Sequence, residues 1–279
     1  MTSYTIRRPL TAPVVLYDSP HSGRYYPADF ETKAQGPDLR RGEDAHVDEL
    51  LSEATAYGVC LLAAVYPRCY IDLNREDDDL DAGLLSEPWP WPIRPTDKTR
   101  KGLGLIRRFV TPGVEVNARL LTAAEVRHRI DDVYRPYHAA LAQLREELHR
   151  SRGVVWHINW HSMKSVGNAM TPDGAGAARP DFVVGDLDGR SAASSFTALI
   201  VDTLRSMGFS VQVNDPYKGG TIVQRYGDPG AGYHTVQIEM KRSLYQDEAT
   251  VTKTDRFDCC QRQLMEFSRR ICDAAPALA

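Results

Sequence analysis

Short apolar runs of β type alternate along the chain with longer runs of helical period. Val14-Val15-Leu16-Tyr17 is apolar, β-branched at its start, and breaks at Ser19-Pro20-His21-Ser22-Gly23. That predicts a short buried strand ending in a turn. Val47, Leu50, Leu51 and Ala54 then recur at helical spacing until Gly58, so a helix is expected there with Asp44 in its first turn. Residues 59–65 and 70–73 read as strands. The clearest helix opens at Thr122, with Glu125 three residues on as a capping box. Val126, Ile130, Val133, Tyr137, Leu141, Leu144 and Leu148 mark its apolar face, Pro136 predicts a kink, and Gly153 ends it. Residues 154–158 form a buried strand that leads straight into Asn159-Trp160-His161-Ser162-Met163. Past a Gly/Ala/Pro-rich loop at 167–180, strands are expected at 182–184, around Val211 and Val213, and at 234–240. Helices are expected around 196–204 and from about 254 to 273.

Strands alternating with helices imply a mostly parallel or mixed central sheet covered on both faces. The pattern fails over residues 75–113. Acidic residues there give way to Pro88, Trp89, Pro90, Trp91, Pro92 and Pro95, and then to a basic run. So long an aperiodic stretch reads as a functional loop or irregular insertion within a single domain spanning 1–279.

Composition narrows the function. A formal net charge of −3 gives no reason to expect a nucleic-acid or anionic-membrane partner. No apolar run is long enough to span a bilayer, and the arginines of residues 1–10 precede no apolar signal segment. Five cysteines without a Cys-x-x-Cys fit neither a disulfide framework nor a thiolate zinc site, and read as reduced thiols of a cytoplasmic protein. Gly102-Leu103-Gly104 lacks the third glycine of a dinucleotide fingerprint. There is no P-loop, and Ser22 and Ser162 stand on no nucleophile elbow.

In open α/β sheets, sites gather beyond the carboxyl ends of the strands. His21 follows the first strand, His161 follows residues 154–158, and Glu239 closes the strand that begins near His234. Two histidines and a carboxylate are the usual protein share of a catalytic zinc site, which keeps a fourth position open. Asp44 is the leading carboxylate and Asp48, one turn later, is its competitor. Glu239 is suited to taking a proton from the attacking water and passing it to a leaving nitrogen. In Asp72-Leu73-Asn74-Arg75, the arginine fork can bind both oxygens of a substrate carboxylate. Lys218-Gly219-Gly220 offers a cation beside backbone that can approach a ligand closely.

Taken together, Ser19-Pro20-His21-Ser22-Gly23, Glu43-Asp44 with Val47-Asp48-Glu49-Leu50, Asp72-Leu73-Asn74-Arg75, His161-Ser162-Met163, Lys218-Gly219-Gly220 and Gln237-Ile238-Glu239 resemble the N-formylglutamate amidohydrolase family. That family is distantly similar to zinc carboxypeptidases and aspartoacylase. The resemblance implies a three-layer α/β/α, phosphorylase/hydrolase-like fold and zinc-dependent hydrolysis of an N-acyl amino acid. The expected reaction takes N-formyl-L-glutamate to formate and L-glutamate, a step of histidine degradation. It also implies one Zn2+ ion on His21, Asp44 and His161, with Glu239 as general base and His234 or an arginine at the oxyanion. Asn74 and Arg75 would contact substrate carboxylate, and Lys218, Arg225 and His234 would line the pocket. Two positions depart from the pattern: Arg24 stands where the carboxypeptidase relatives carry a ligating carboxylate, and Asn159 where an acidic residue would back His161. The alternatives are a hydrolase of another N-acyl amino acid or small peptide, and a non-catalytic metal or amino-acid binding protein on the same scaffold.

Overall fold

A computed structural model describes residues 2–278. Strands β1 (Tyr4–Arg7), β2 (Val15–Ser19), β3 (Val59–Ala64), β4 (Val155–Met163), β5 (Phe182–Gly185), β6 (Val211–Val213) and β7 (Tyr233–Lys241) form one sheet. Their order across it is β1-β3-β2-β4-β7-β5-β6. The central four, β3, β2, β4 and β7, are parallel, while β1 runs against β3 and β5 against β7. The sheet is therefore mixed with a parallel centre, as the alternating pattern implies.

The helices that follow the first two strands include α1 (Val47–Leu50), α2 (Asp97–Arg100), α3 (Ala123–Arg129), α4 (Arg135–Arg152), α5 (Ser194–Ser206), α6 (Thr221–Tyr226) and α7 (Phe257–Ala274). Because strand side chains alternate, β2 sends Leu16 to one face and Val15 and Tyr17 to the other. Leu16 packs with Tyr137, Leu141 and Leu144 of α4. Val15 and Tyr17 pack with Phe196 and Ile200 of α5 and with Leu264 and Phe267 of α7. Two apolar layers thus sandwich the sheet, giving three layers.

Four local expectations need revision. Residues 70–73 form no strand: Asp72 N donates to Leu105 O at 2.8 Å, and the segment is buried as a loop beneath residues 75–113. A short apolar run marks burial, and burial alone does not distinguish strand from loop. β4 continues to Met163, so His161 lies within the strand rather than after it. Helix α1 starts at Val47, and Asp44 precedes it, its backbone N–H bonded to His21 O at 2.9 Å. The kink assigned to Pro136 appears as a π turn over Ile130–Tyr134 between α3 and α4, which widens the helix just before a residue with no N–H to give.

The 75–113 segment is a packed wall. Leu80, Leu84, Leu105, Ile106 and Val110 are buried in the α4-side core. Asp79 ties the segment together, accepting from Thr96 N at 2.7 Å and from the Thr99 hydroxyl. Among the described residues no helix is long and apolar enough to cross a membrane, and all five cysteines are free thiols.

Candidate active site

Along β4, Trp156, Ile158 and Trp160 enter the α5/α7 core, while His157, Asn159 and His161 form a polar stripe on the opposite face. This alternation, legible in the sequence, is what carries the strand through to His161. His21 leaves the end of the neighbouring β2, and the Asp44–His21 backbone bond brings the Asp44 carboxylate against both rings. His21 Nδ1 lies 3.0 Å from His161 Nδ1, His161 Nδ1 lies 3.0 Å from Asp44 Oδ2, and His21 Nδ1 lies 3.4 Å from Asp44 Oδ2. All three residues are at most 2% exposed.

What lies behind each ring decides what faces the centre. His21 Nε2 is 2.7 Å from Asp72 Oδ1, and Arg68 holds the other oxygen of Asp72 at 2.8 Å. Burial alone would push the Asp72 carboxyl up. Arg68, His21 and Arg75 together outweigh it and hold the group well below the usual carboxylate range, so it accepts the His21 Nε2–H. His161 Nε2 lies 2.8 Å from Asn159 Oδ1, whose amide orientation is set by Nδ2 donating to Asp18. Each imidazole therefore uses its Nε2–H outward and turns an Nδ1 lone pair inward. Two lone pairs and a carboxylate oxygen converge with no donor between them, which is the demand a cation satisfies. Atoms bound to one tetrahedral zinc at about 2.0–2.1 Å sit about 3.3 Å apart. The separations here match that, and the residues fit the metal.

Glu239 pairs in register with His161 across β4 and β7. It opens into the same cleft and accepts from Gln237 Nε2 at 3.0 Å. Burial pushes its carboxyl up, and the adjacent Asp44 adds to this against the pull of His161. That cleft has a volume of about 350 Å³. Arg41, Arg68, Arg75, Lys98, Arg107, Lys164, Arg179, Lys218 and Arg242 line it, against one carboxylate, Glu239. A chain of slightly negative net charge thus builds a strongly cationic cleft.

The expected residues divide. Asn74 and Arg75 line the cleft. Asn74 Oδ1 accepts from Ile222 N at 2.8 Å, and its Nδ2 lies 3.2 Å from His161 Nε2; with that nitrogen donating to Asn159 Oδ1, the two N–H groups face each other and Asn74 gives the ring no hydrogen bond. A Cβ on Gly220 would fall 2.4 Å from Asn74 Nδ2, so the close approach anticipated at Gly219-Gly220 is made to this asparagine. Asp48 does not join the triad; its carboxylate lies 3.6 Å from Arg24.

Of the three residues expected to line the pocket, Lys218 does and Arg225 and His234 do not. Lys218 touches the cleft, but its ammonium is exposed and bonded to Asp188 at 2.9 Å. Arg225 pairs with Glu76 beside the Tyr134 ring, outside the cleft lining. His234 stacks on Trp156 with centroids 4.5 Å apart, and its Nδ1 accepts from Ala193 N at 3.0 Å. It is an odd number of residues from Glu239, so the strand's two-residue period sends it to the other face.

Sequence reasoning passed over Arg68, Lys98, Arg107 and Arg242. Arg242 holds Asp44 Oδ1 at 2.9 Å. Lys98 and Arg107 belong to the basic run of the 75–113 segment, visible in the sequence only as a change of composition. Among the described residues, Arg75 and Lys98 have no acidic partner, and Arg107 Nε is 3.8 Å from Asp72 with no hydrogen bond.

The fold is a three-layer α/β architecture with a cationic cleft, and comparison with known proteins makes the chain an amidohydrolase. Residues 13–246 match the family described as N-formylglutamate amidohydrolase, and the chain belongs to that family. It is 30% identical over 221 residues to an N-formylglutamate deformylase of Pseudomonas putida, covering 78% of this chain and 75% of that protein. It is 28% identical over 236 residues to one of Pseudomonas aeruginosa, covering 84% and 82%. The crystal structure of an N-formylglutamate amidohydrolase from Ralstonia eutropha superposes with a TM-score of 0.92 at 38% identity over 100% of both chains.

Proposed function

We propose that this chain hydrolyses N-formyl-L-glutamate to formate and L-glutamate, a reaction of histidine degradation, with one zinc ion on His21 Nδ1, Asp44 Oδ2 and His161 Nδ1. The observation that carries the reading is the inward-facing set of three buried acceptors beside Glu239 in a cationic cleft. A zinc ion bound there supplies Lewis acidity, which activates water at neutral pH and polarises the amide carbonyl. Glu239 takes the proton of the attacking water and returns it to the leaving amine, and its raised affinity for a proton suits both halves of that task. Arg68, whose guanidinium lies 3.7 Å from Asp44 Oδ1, supplies positive charge for the oxyanion in place of His234.

The substrate carries two carboxylates. Arg75 has its Nε and Nη1 fixed on Leu103 O and Asn74 O at 2.7 Å each, which aims the rest of its fork; it takes the α-carboxylate. Arg107 and Lys98 take the side-chain carboxylate. Burial and neighbouring cations push the Lys98 ammonium down to about 8, so an anion arriving there relieves an existing repulsion.

Formate release from N-formylglutamate, measured beside a panel of N-formyl and N-acetyl amino acids, tests the reading. N-formylglutamate should give the highest kcat/KM. An N-acetyl or neutral N-formyl amino acid turned over faster would overturn the substrate assignment.

A further inference from the structure

The charge behind His161 is not where the sequence pattern would put it. Asn159 is neutral, yet it is not an isolated amide. Asp18 stands beside it in register across β2 and β4, and Asn159 Nδ2 donates to Asp18 Oδ1 at 2.8 Å. The same oxygen accepts from His157 Nε2 at 2.8 Å, while Asp18 Oδ2 accepts from the Tyr137 hydroxyl at 2.8 Å. Asp18, His157 and Asn159 are fully buried, and none of them lines the cleft. Burial works against the Asp18 charge, but His157, Asn159 and Tyr137 together outweigh it and keep the carboxyl below its usual value. The result is an unbroken line of hydrogen bonds from a buried carboxylate, through one amide, to the outer nitrogen of a ligand histidine.

We propose that Asp18 is a positioning residue for the metal site, its charge passed through the Asn159 amide to hold His161 as the Nε2–H tautomer with a strengthened Nδ1. The carboxylate draws electron density toward the amide oxygen by fixing the Nδ2 hydrogens, so Asn159 Oδ1 becomes a stronger acceptor. A histidine ligand whose second nitrogen donates to an anion is the more basic ligand, and here the anion acts one link away. Asn159 therefore substitutes for a carboxylate because Asp18 supplies the charge behind it. This inference rests on the zinc reading above, and its test separates the two.

Asp18→Asn removes the charge and keeps the shape. The new amide oxygen can still accept from His157 and Asn159, while the new amide nitrogen donates to the Tyr137 oxygen, reversing that one bond and leaving the Tyr137 hydroxyl hydrogen without its acceptor. The measurement is the zinc dissociation constant of metal-stripped protein, by competition with a chelator, beside the melting temperature of the stripped form. Asp18→Asn should bind zinc about 10–100-fold more weakly, with the stripped form melting only a few degrees lower. The swap Asp18→Asn with Asn159→Asp moves the charge one link nearer. The amide nitrogen introduced on β2 can then face both the carboxylate introduced on β4 and His157, with His157 donating instead through Nδ1 to the Thr235 hydroxyl 3.3 Å away. This double variant should recover the affinity. Wild type that binds zinc with Asp18→Asn equally tight, or a swap that fails to restore a lost affinity, overturns the relay alone. Wild type that takes up no zinc overturns the site reading with it.

Discussion

Arg107→Met separates binding from stability at the cleft. Arg107 is 7% exposed, and burial, with the like charge of Arg68, pushes its guanidinium down to about 10 despite the nearby Asp72. Against its ordinary value that is a charge held at neutral pH at a cost of about 3 kcal/mol. Asp72 does not depend on it, since Asp72 keeps His21 at 2.7 Å, Arg68 at 2.8 Å and Asn74 N at 3.0 Å. Methionine fills most of the same volume without the charge. The ligand-free variant should therefore melt no lower than wild type, and up to a few degrees higher. The substrate side-chain carboxylate, in contrast, loses a charge-assisted contact worth about 1.5–3 kcal/mol, or roughly 10–150-fold in KM. Formate release is measured for N-formylglutamate and for N-formylnorvaline, which lacks that carboxylate. Only the first should suffer, with kcat changed little. Equal losses for both substrates, or a melting temperature lowered by many degrees, would refute the reasoning by making Arg107 a structural residue.

Glu239→Gln should keep its zinc while kcat falls about 10²–10⁴-fold; near-wild-type turnover with metal bound would remove the general-base assignment. Asp44→Asn should abolish stoichiometric zinc uptake, whereas Asp48→Asn should retain it, because Asp48 lies outside the triad and burial already pushes its carboxyl up; elemental analysis of both decides. His138 is buried between Leu73 O and the Tyr226 hydroxyl, and burial, with Arg225 adding, pushes its imidazole down to about 3. Below the unfolded value near 6.5 the unfolded chain takes up the proton and the native one does not. The neutral site's contribution is thus complete above that pH and drains away as pH falls toward 3. Denaturant unfolding of wild type should lose about 2 kcal/mol more between pH 7 and 5 than that of His138→Gln.

What the sequence makes legible follows from what periodicity can carry. The parallel strands and the two long helices have a clear period, and the strand-end rule brings His21, His161 and Glu239 to one crevice. Asp44 is harder, because membership of the triad turns on one backbone bond to His21 O rather than on helical phase. For His234 the sequence itself holds the correction: five residues from Glu239 on a strand puts it on the opposite face. Arg107 and Lys98 have no such signal. They come from a segment without period, whose path is set by buried Asp79 and by leucines reaching the α4-side core. Asp18 carries a signal only with pairing known, since β2–β4 register is what sets it beside Asn159.

Zinc back-titration of chelator-stripped enzyme, with formate release from N-formylglutamate followed at each addition, tests the central claim most directly. Activity should be absent at the start, rise linearly and break at about one zinc per chain, and His21→Ala should neither bind zinc nor recover. Full activity in the stripped protein, or zinc uptake that leaves His21→Ala indistinguishable from wild type, would contradict the account.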